Sequence, residues 1–265
     1  MQTLTAFIEG IGLLGPGLSG WAGSQAILGG RQDFRPCKTV LPLPALLPPA
    51  ERRRSGAMVR LALATGLEAI VAAGREAAIL HSVFSSSGSD GENCHAICEM
   101  LASDDRQISP TRFHNSVHNA AAGYWGIATG AMTPASALAA FDASFGAGLL
   151  EALTQVVVDH TRTVLLTCDT PYPAPLHSTR PIPDAFGIAM VLAPQRSAQA
   201  LASITVGLTD AGPDRLADAA LECLRTAIPA ARGLPLLRSI ALRHDQTVVL
   251  DYLDGTRLAV AVKPC

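Results

Sequence analysis

Three groups of residues have the types and spacing that chemistry requires. Gly10-Ile-Gly12-Leu-Leu-Gly15 matches the dinucleotide fingerprint GxGxxG, with Asp33 near the position of a ribose-binding acid. That chemistry needs a helix N-terminus aimed at a pyrophosphate, whereas Gly15-Pro16-Gly17 opens a loop. The glycines therefore read as a flexible turn after a first strand. Cys94 and Cys98 lie four apart on one expected helix face, and His114 and His118 four apart on another. If those helices met, the four side chains would suit a structural zinc ion. Cysteines at this spacing on a small-residue helix also serve as buried apolar groups, which is the preferred reading. Gly17-Leu-Ser19-Gly20 is one residue short of a GxSxG nucleophile elbow, which leaves Ser19 as a turn serine.

The elements that would position these residues alternate between strand and helix. Residues 3–9 predict a short strand running into the turn Gly10–Gly20, and Pro42–Pro49 marks a second irregular stretch. Behind the basic cluster Arg52-Arg53-Arg54, apolar residues from Met58 to Val71 recur at helical spacing up to Gly74. Ala77–Phe84 predicts a buried strand, Ser85–Gly91 a tight loop, and Glu92–Leu101 a helix. Further helices are expected over 115–130 and 143–159, with strands over 135–140, 163–168 and 186–192. The remainder predicts a strand over 203–208, a helix over 213–228 and strands over 238–242, 248–252 and 257–262, with Asp254-Gly255 as a hairpin turn. Such alternation argues for a layered α/β domain.

Composition narrows the function. The chain has 265 residues, 49% hydrophobic and 16% charged, which is enough to bury a sizeable core. Its net charge of -2 and the lack of a basic stripe with interleaved aromatics argue against a nucleic-acid partner. Six scattered cysteines without CxxC spacing, and a start without basic residues, predict reduced thiols in the cytoplasm. The uncharged stretch Asn119–Phe141 is long enough to span a bilayer. Gly123, Gly126, Gly130 and Pro134 interrupt it, so a buried helix followed by a loop is expected, and no membrane partner.

Three stretches in order resemble the β-ketoacyl synthases of the thiolase superfamily. Phe7-Ile-Glu-Gly-Ile-Gly-Leu-Leu-Gly-Pro is similar to that family's opening strand and glycine turn. Ser85–Gly91, preceded by the Arg- and Ala-bearing helix, resembles its glycine/serine loop. The most specific stretch runs from Ile108-Ser-Pro-Thr-Arg-Phe-His-Asn-Ser-Val-His-Asn-Ala-Ala-Ala-Gly through Gly130, Pro134 and Ala143-Ser-Phe-Gly-Ala to Glu151. Arg180-Pro-Ile-Pro-Asp-Ala-Phe-Gly is similar to a strand-entry segment, so the resemblance covers roughly residues 5–195.

The resemblance implies one thiolase-like half, a mixed five-stranded sheet layered with helices over 1–196, plus a small α/β extension over 197–265 that completes the same globule. It also implies what is missing. The family's nucleophilic cysteine sits eight residues after the proline, which here is Asp142, and no cysteine lies between Cys98 and Cys168. A carboxylate cannot form the thioester that condensation uses, and Asp142 is expected to cap the following helix. The family's two catalytic histidines have no counterpart after residue 195, where His244 is the sole histidine and is expected on the surface.

Half-size, cysteine-free relatives resemble the chain-length factors of polyene and polyketide assembly, as in bacterial aryl-polyene clusters. The resemblance implies a heterodimer with an active β-ketoacyl synthase, indirect contact with an acyl carrier protein, and no metal or nucleotide cofactor. It further implies that Arg112, Phe113, Val117, Tyr124, Trp125 and Met132 include partner-facing or tunnel-limiting residues, against ordinary core packing as the alternative. Two rivals remain: acyl hydrolysis or malonyl decarboxylation by Asp142 with a histidine such as His118, and a zinc-stabilised binding protein.

Overall fold

A computed structural model describes residues 3–265. In chain order, β1 (Leu4–Gly15) and the two-residue β2 (Leu18–Ser19) precede α1 (Trp21–Leu28). A proline-rich stretch leads to α2 (Pro49–Arg54) and α3 (Ala57–Ala73), then β3 (His81–Ser85) and α4 (Gly91–Ala102). Next come α5 (Pro110–His114), α6 (Ala120–Thr129), β4 (Ala135–Leu138), α7 (Ser144–Val158), β5 (Thr163–Asp169), α8 (Leu176–Thr179) and β6 (Phe186–Ala193). The chain closes with β7 (Ala202–Thr209), α9 (Ala219–Ala227), α10 (Leu234–Leu242), β8 (Gln246–Leu253) and β9 (Thr256–Pro264).

The expected mixed α/β fold is present, built on one nine-stranded sheet of order β4-β3-β5-β6-β1-β7-β9-β8, with β2 paired to β1. Its first five strands match the five expected; β7, β9 and β8 extend the same sheet by pairing β7 with β1. β3 runs parallel to β4 and β5, and the other pairings are antiparallel. Every residue of β5 and β6 is buried, because helices cover both faces there. α3 and α6 pack on one face; α1, α7 and α10 pack on the other. α7 touches both β3 and β8, which stand far apart in strand order, so the sheet curls around it. Small residues permit this: a Cβ at Gly146 would lie 3.0 Å from the Asp251 carbonyl oxygen, and one at Gly148 would lie 2.7 Å from the Ser85 Cβ.

Several expectations need correction. Gly10–Gly15 is strand, not turn; the chain reverses at Gly17, with φ of 69°, where only β2 follows. Gly10 and Gly12 serve packing, since a Cβ there would stand 2.2 Å from the Ala69 carbonyl oxygen and 1.9 Å from that of Thr65. The nucleotide reading therefore lacks both the loop and the helix start it needs. Residues 238–242 belong to α10, not to a strand. Their apolar partners Leu234, Leu236, Leu237, Ile240 and Ala241 are all buried, on a helix with proline in its first turn, and a short apolar run does not reveal its period.

The helix expected over 115–130 forms only over α6, after turns at 115–119, and that over 213–228 begins only at Ala219, where Asp218 caps it by accepting from Ala220 N and Leu221 N at 2.9 and 3.0 Å. The uncharged run 119–141 is interrupted by the end of α6 at Thr129 and by β4. Residues 141–158 are long and apolar enough to cross a bilayer, yet this segment is the central helix of the fold, with half of its span buried.

Candidate functional site

Strands β3 and β5 end side by side, and the head of α7 sits beside them. Ser85, the last residue of β3, donates its hydroxyl to the Ser144 carbonyl at 2.6 Å, fixing α7 to the sheet. Asp169, the last residue of β5, is 1% exposed. Its Oδ1 accepts from Ser87 N at 2.8 Å and Ser87 Oγ at 2.6 Å, and its Oδ2 accepts from Ala230 N at 2.8 Å. Burial pushes the Asp169 carboxyl up to about 6 despite these donors. The adjoining Cys168 is 2% exposed, and burial pushes its thiol up to about 12, which suits a packed apolar group and not a nucleophile.

Asp142 lies in a short 3-10 turn, Phe141–Ala143, that runs into α7. It does not cap the helix; no side chain caps α7. Instead its Oδ1 accepts from Arg180 Nη2 at 2.7 Å and its Oδ2 from Arg232 Nη2 at 3.1 Å. The turn is closed by Ser144, whose Oγ donates to the Phe141 carbonyl at 2.7 Å and accepts from Ala140 N at 3.1 Å. Phe141 has a φ of 51°, in the left-handed region, and its ring is exposed. The Arg180 guanidinium carbon stands 3.7 Å from the centre of that ring. One arginine thus grips the carboxylate and covers the aromatic beside it.

This geometry answers the chemical readings. Both oxygens of Asp142 are engaged by arginines, and no histidine is among its partners, so the Asp142–His118 hydrolase arrangement is not formed. Cys94 and Cys98 are exposed on α4, and among the described residues no three histidine, cysteine, aspartate or glutamate side chains gather to hold a metal. The four ligands of the zinc arrangement do not converge, and the preferred reading of Cys94 and Cys98 as buried apolar groups is corrected, because both are exposed. Ser19 is exposed in β2, and His244 is exposed in the turn between α10 and β8.

The six residues expected to face a partner separate into two groups. Phe113, Val117 and Met132 are 67%, 51% and 95% exposed, and Arg112 is exposed beside them in sequence. Phe113 and Val117 line a groove of about 630 Å3 with Ala120, Gly123, Tyr124 and Ile127, on α5, α6 and the loop between them. Tyr124 and Trp125 are 2% and 1% exposed. Trp125 packs edge-on to Phe84 and against Gly66 of α3, within the chain's own core. Tyr124 donates its hydroxyl to Asn115 Oδ1 at 3.2 Å and floors the groove. β4 follows this region and forms one edge of the sheet. The sequence marks Arg180 only as the start of a strand-entry segment and does not mark Arg232, Phe141 or Asp169 as site residues, because their partners lie 38 to 90 residues away.

A family model described as "Beta-ketoacyl synthase, N-terminal domain" matches residues 30–239. The chain belongs to that family. No curated protein sequence matches this β-ketoacyl synthase homologue significantly. Its fold does match solved structures. One, described as a ketosynthase (ApeO) in complex with its chain length factor (ApeC) from Xenorhabdus doucetiae, has a TM-score of 0.70 at 23% identity, covering 97% of this chain and 99% of that one. The ishigamide ketosynthase/chain length factor gives 0.72 at 14% identity, covering 98% and 99%. A type II polyketide acyl-carrier protein in complex with its ketosynthase gives 0.71 at 10% identity, covering all of both chains.

Proposed function

We propose that this β-ketoacyl synthase homologue is a non-catalytic subunit, a chain-length factor that pairs with an active ketosynthase and shapes its acyl tunnel. The observation that carries this reading is the state of Asp142. At the position where the family resemblance puts a nucleophilic cysteine, a carboxylate is held by Arg180 and Arg232, and it cannot take up an acyl group as a thioester. With no cysteine between Cys98 and Cys168, the surrounding sequence offers no substitute. The fold is that of proteins described as ketosynthase/chain length factor pairs, which supports the same reading.

On this proposal the partner docks along the open edge of β4 and the groove bearing Phe113 and Val117, with Arg112 and Met132 nearby. An unpaired sheet edge beside exposed apolar side chains is a surface that a partner strand and its side chains can cover. Residues 1–196 act as the ketosynthase-like half, and 197–265 complete the globule through the β1–β7 pairing. The partner's cysteine then extends a carrier-protein-bound acyl chain, and this subunit limits its length by shape.

Co-expression with ketosynthases of the source genome, followed by affinity capture and light-scattering mass, tests the proposal. A one-to-one complex is expected. A stable lone monomer with no affinity for any of them overturns it.

A further inference from the structure

Phe141 combines three features that a residue serving only the fold would not keep. The residue is 63% exposed, so it adds little to the core. Its backbone lies at a φ of 51°, where an aromatic residue is disfavoured and glycine is not. One face of its ring is nevertheless packed, because Arg180 stacks on it at 3.7 Å while bonded to Asp142, which Arg232 also holds. A strained and exposed aromatic, packed on one face only, is unfavourable to the isolated chain; the arrangement becomes favourable when the ring is buried against something else.

The position says what covers it. Phe141 follows the last residue of β4 by three positions, and β4 is the open edge of the sheet. We infer that Phe141 is a preorganised anchor that inserts into the partner ketosynthase subunit, and that Asp142, Arg180 and Arg232 form the clamp that presents it. The inference rests on the heterodimer proposed above and adds a residue to it. It also gives Asp142 a positioning role: the carboxylate that replaces the nucleophile holds the arginine that holds the ring. Aromatic anchors of this kind dominate interface energetics when they enter a desolvated pocket.

The test compares wild type, F141G, F141Y and D142N as full-length chains, measuring Tm alone and Kd for the partner ketosynthase. Glycine removes the backbone strain and the anchor together. F141G is therefore expected to melt no lower than wild type and to bind at least tenfold more weakly, about 1.4 kcal/mol. F141Y should bind within about threefold of wild type, and D142N should fall between the two. If wild type binds and F141G binds within twofold of it, the anchor is overturned while the heterodimer stands, including the case in which only the length of the product changes. If wild type does not bind, the heterodimer itself is overturned.

Discussion

Asp169 and Ala230 are joined by a 2.8 Å hydrogen bond that links the end of β5 to the 3-10 turn ahead of α10, across sixty-one residues of sequence. The same carboxylate binds Ser87 through its other oxygen, so one buried side chain ties three segments at the head of α7. Its pKa is raised, from 3.8 to about 6, so the folded state takes up a proton more readily than the unfolded chain. Its contribution to stability is therefore largest below about pH 4 and declines as pH rises through about 6. The variant D169N keeps one acceptor but turns an amide toward Ala230 N, at an expected cost of about 1–3 kcal/mol. Urea denaturation from pH 4 to 7 checks both points: the wild-type advantage over D169N should shrink as pH rises, and a gap that widens would contradict the account.

Gly12 sets how closely α3 approaches β1. G12A puts a methyl group 1.9 Å from the Thr65 carbonyl oxygen, and backbone cannot move aside cheaply. A loss of about 3 kcal/mol is expected. Gly23 in α1 is the control, since nothing lies within 4 Å of a Cβ there. G23A should be neutral or stabilising by up to about 1 kcal/mol, as read from thermal or urea melting.

The expected partner-facing residues should divide by burial. W125A removes an indole that is 1% exposed, and should cost about 3–5 kcal/mol, enough to unfold much of the protein. F113A and V117A remove exposed side chains and should leave stability within about 0.5 kcal/mol while weakening the complex. Melting curves and titrations with the partner separate the two classes; loss of binding without loss of stability at Trp125 would contradict the core assignment.

Placing a thiol at position 142 should not create condensing chemistry. D142C removes the carboxylate but leaves Arg180 and Arg232 in place, and His244 is the sole histidine after residue 195. With enough of this chain to saturate the partner, the condensation rate of the complex containing D142C should equal that of the wild-type complex, measured by product formation from malonyl-loaded carrier protein. A rate that survives inactivation of the partner's cysteine would show a second active centre.

The legibility of the sequence follows the range of the interactions. β5, β6 and α7 were readable because their apolar runs and spacing are local and lie between clear boundaries. The strand expected over 238–242 falls within α10, because those residues alone are too few to show a helical period. Gly10 and Gly12 suggest a turn because a glycine that admits a helix looks, in sequence, like one that bends the chain. At the site, the resemblance draws attention to Asp142 by position alone. Its partners are not legible in the same way: Arg180 and Arg232 approach from separate segments, and the pattern around Arg180 reads only as the entry to a strand.

The central claim, that this chain shapes a partner's chemistry without carrying acyl groups, is tested most directly by intact mass spectrometry of the co-purified complex after incubation with acyl-loaded carrier protein. A one-to-one complex is expected, with the acyl adduct on the partner's cysteine and an unmodified mass for this chain. An adduct on this chain, at Cys168 or any other residue, would contradict it.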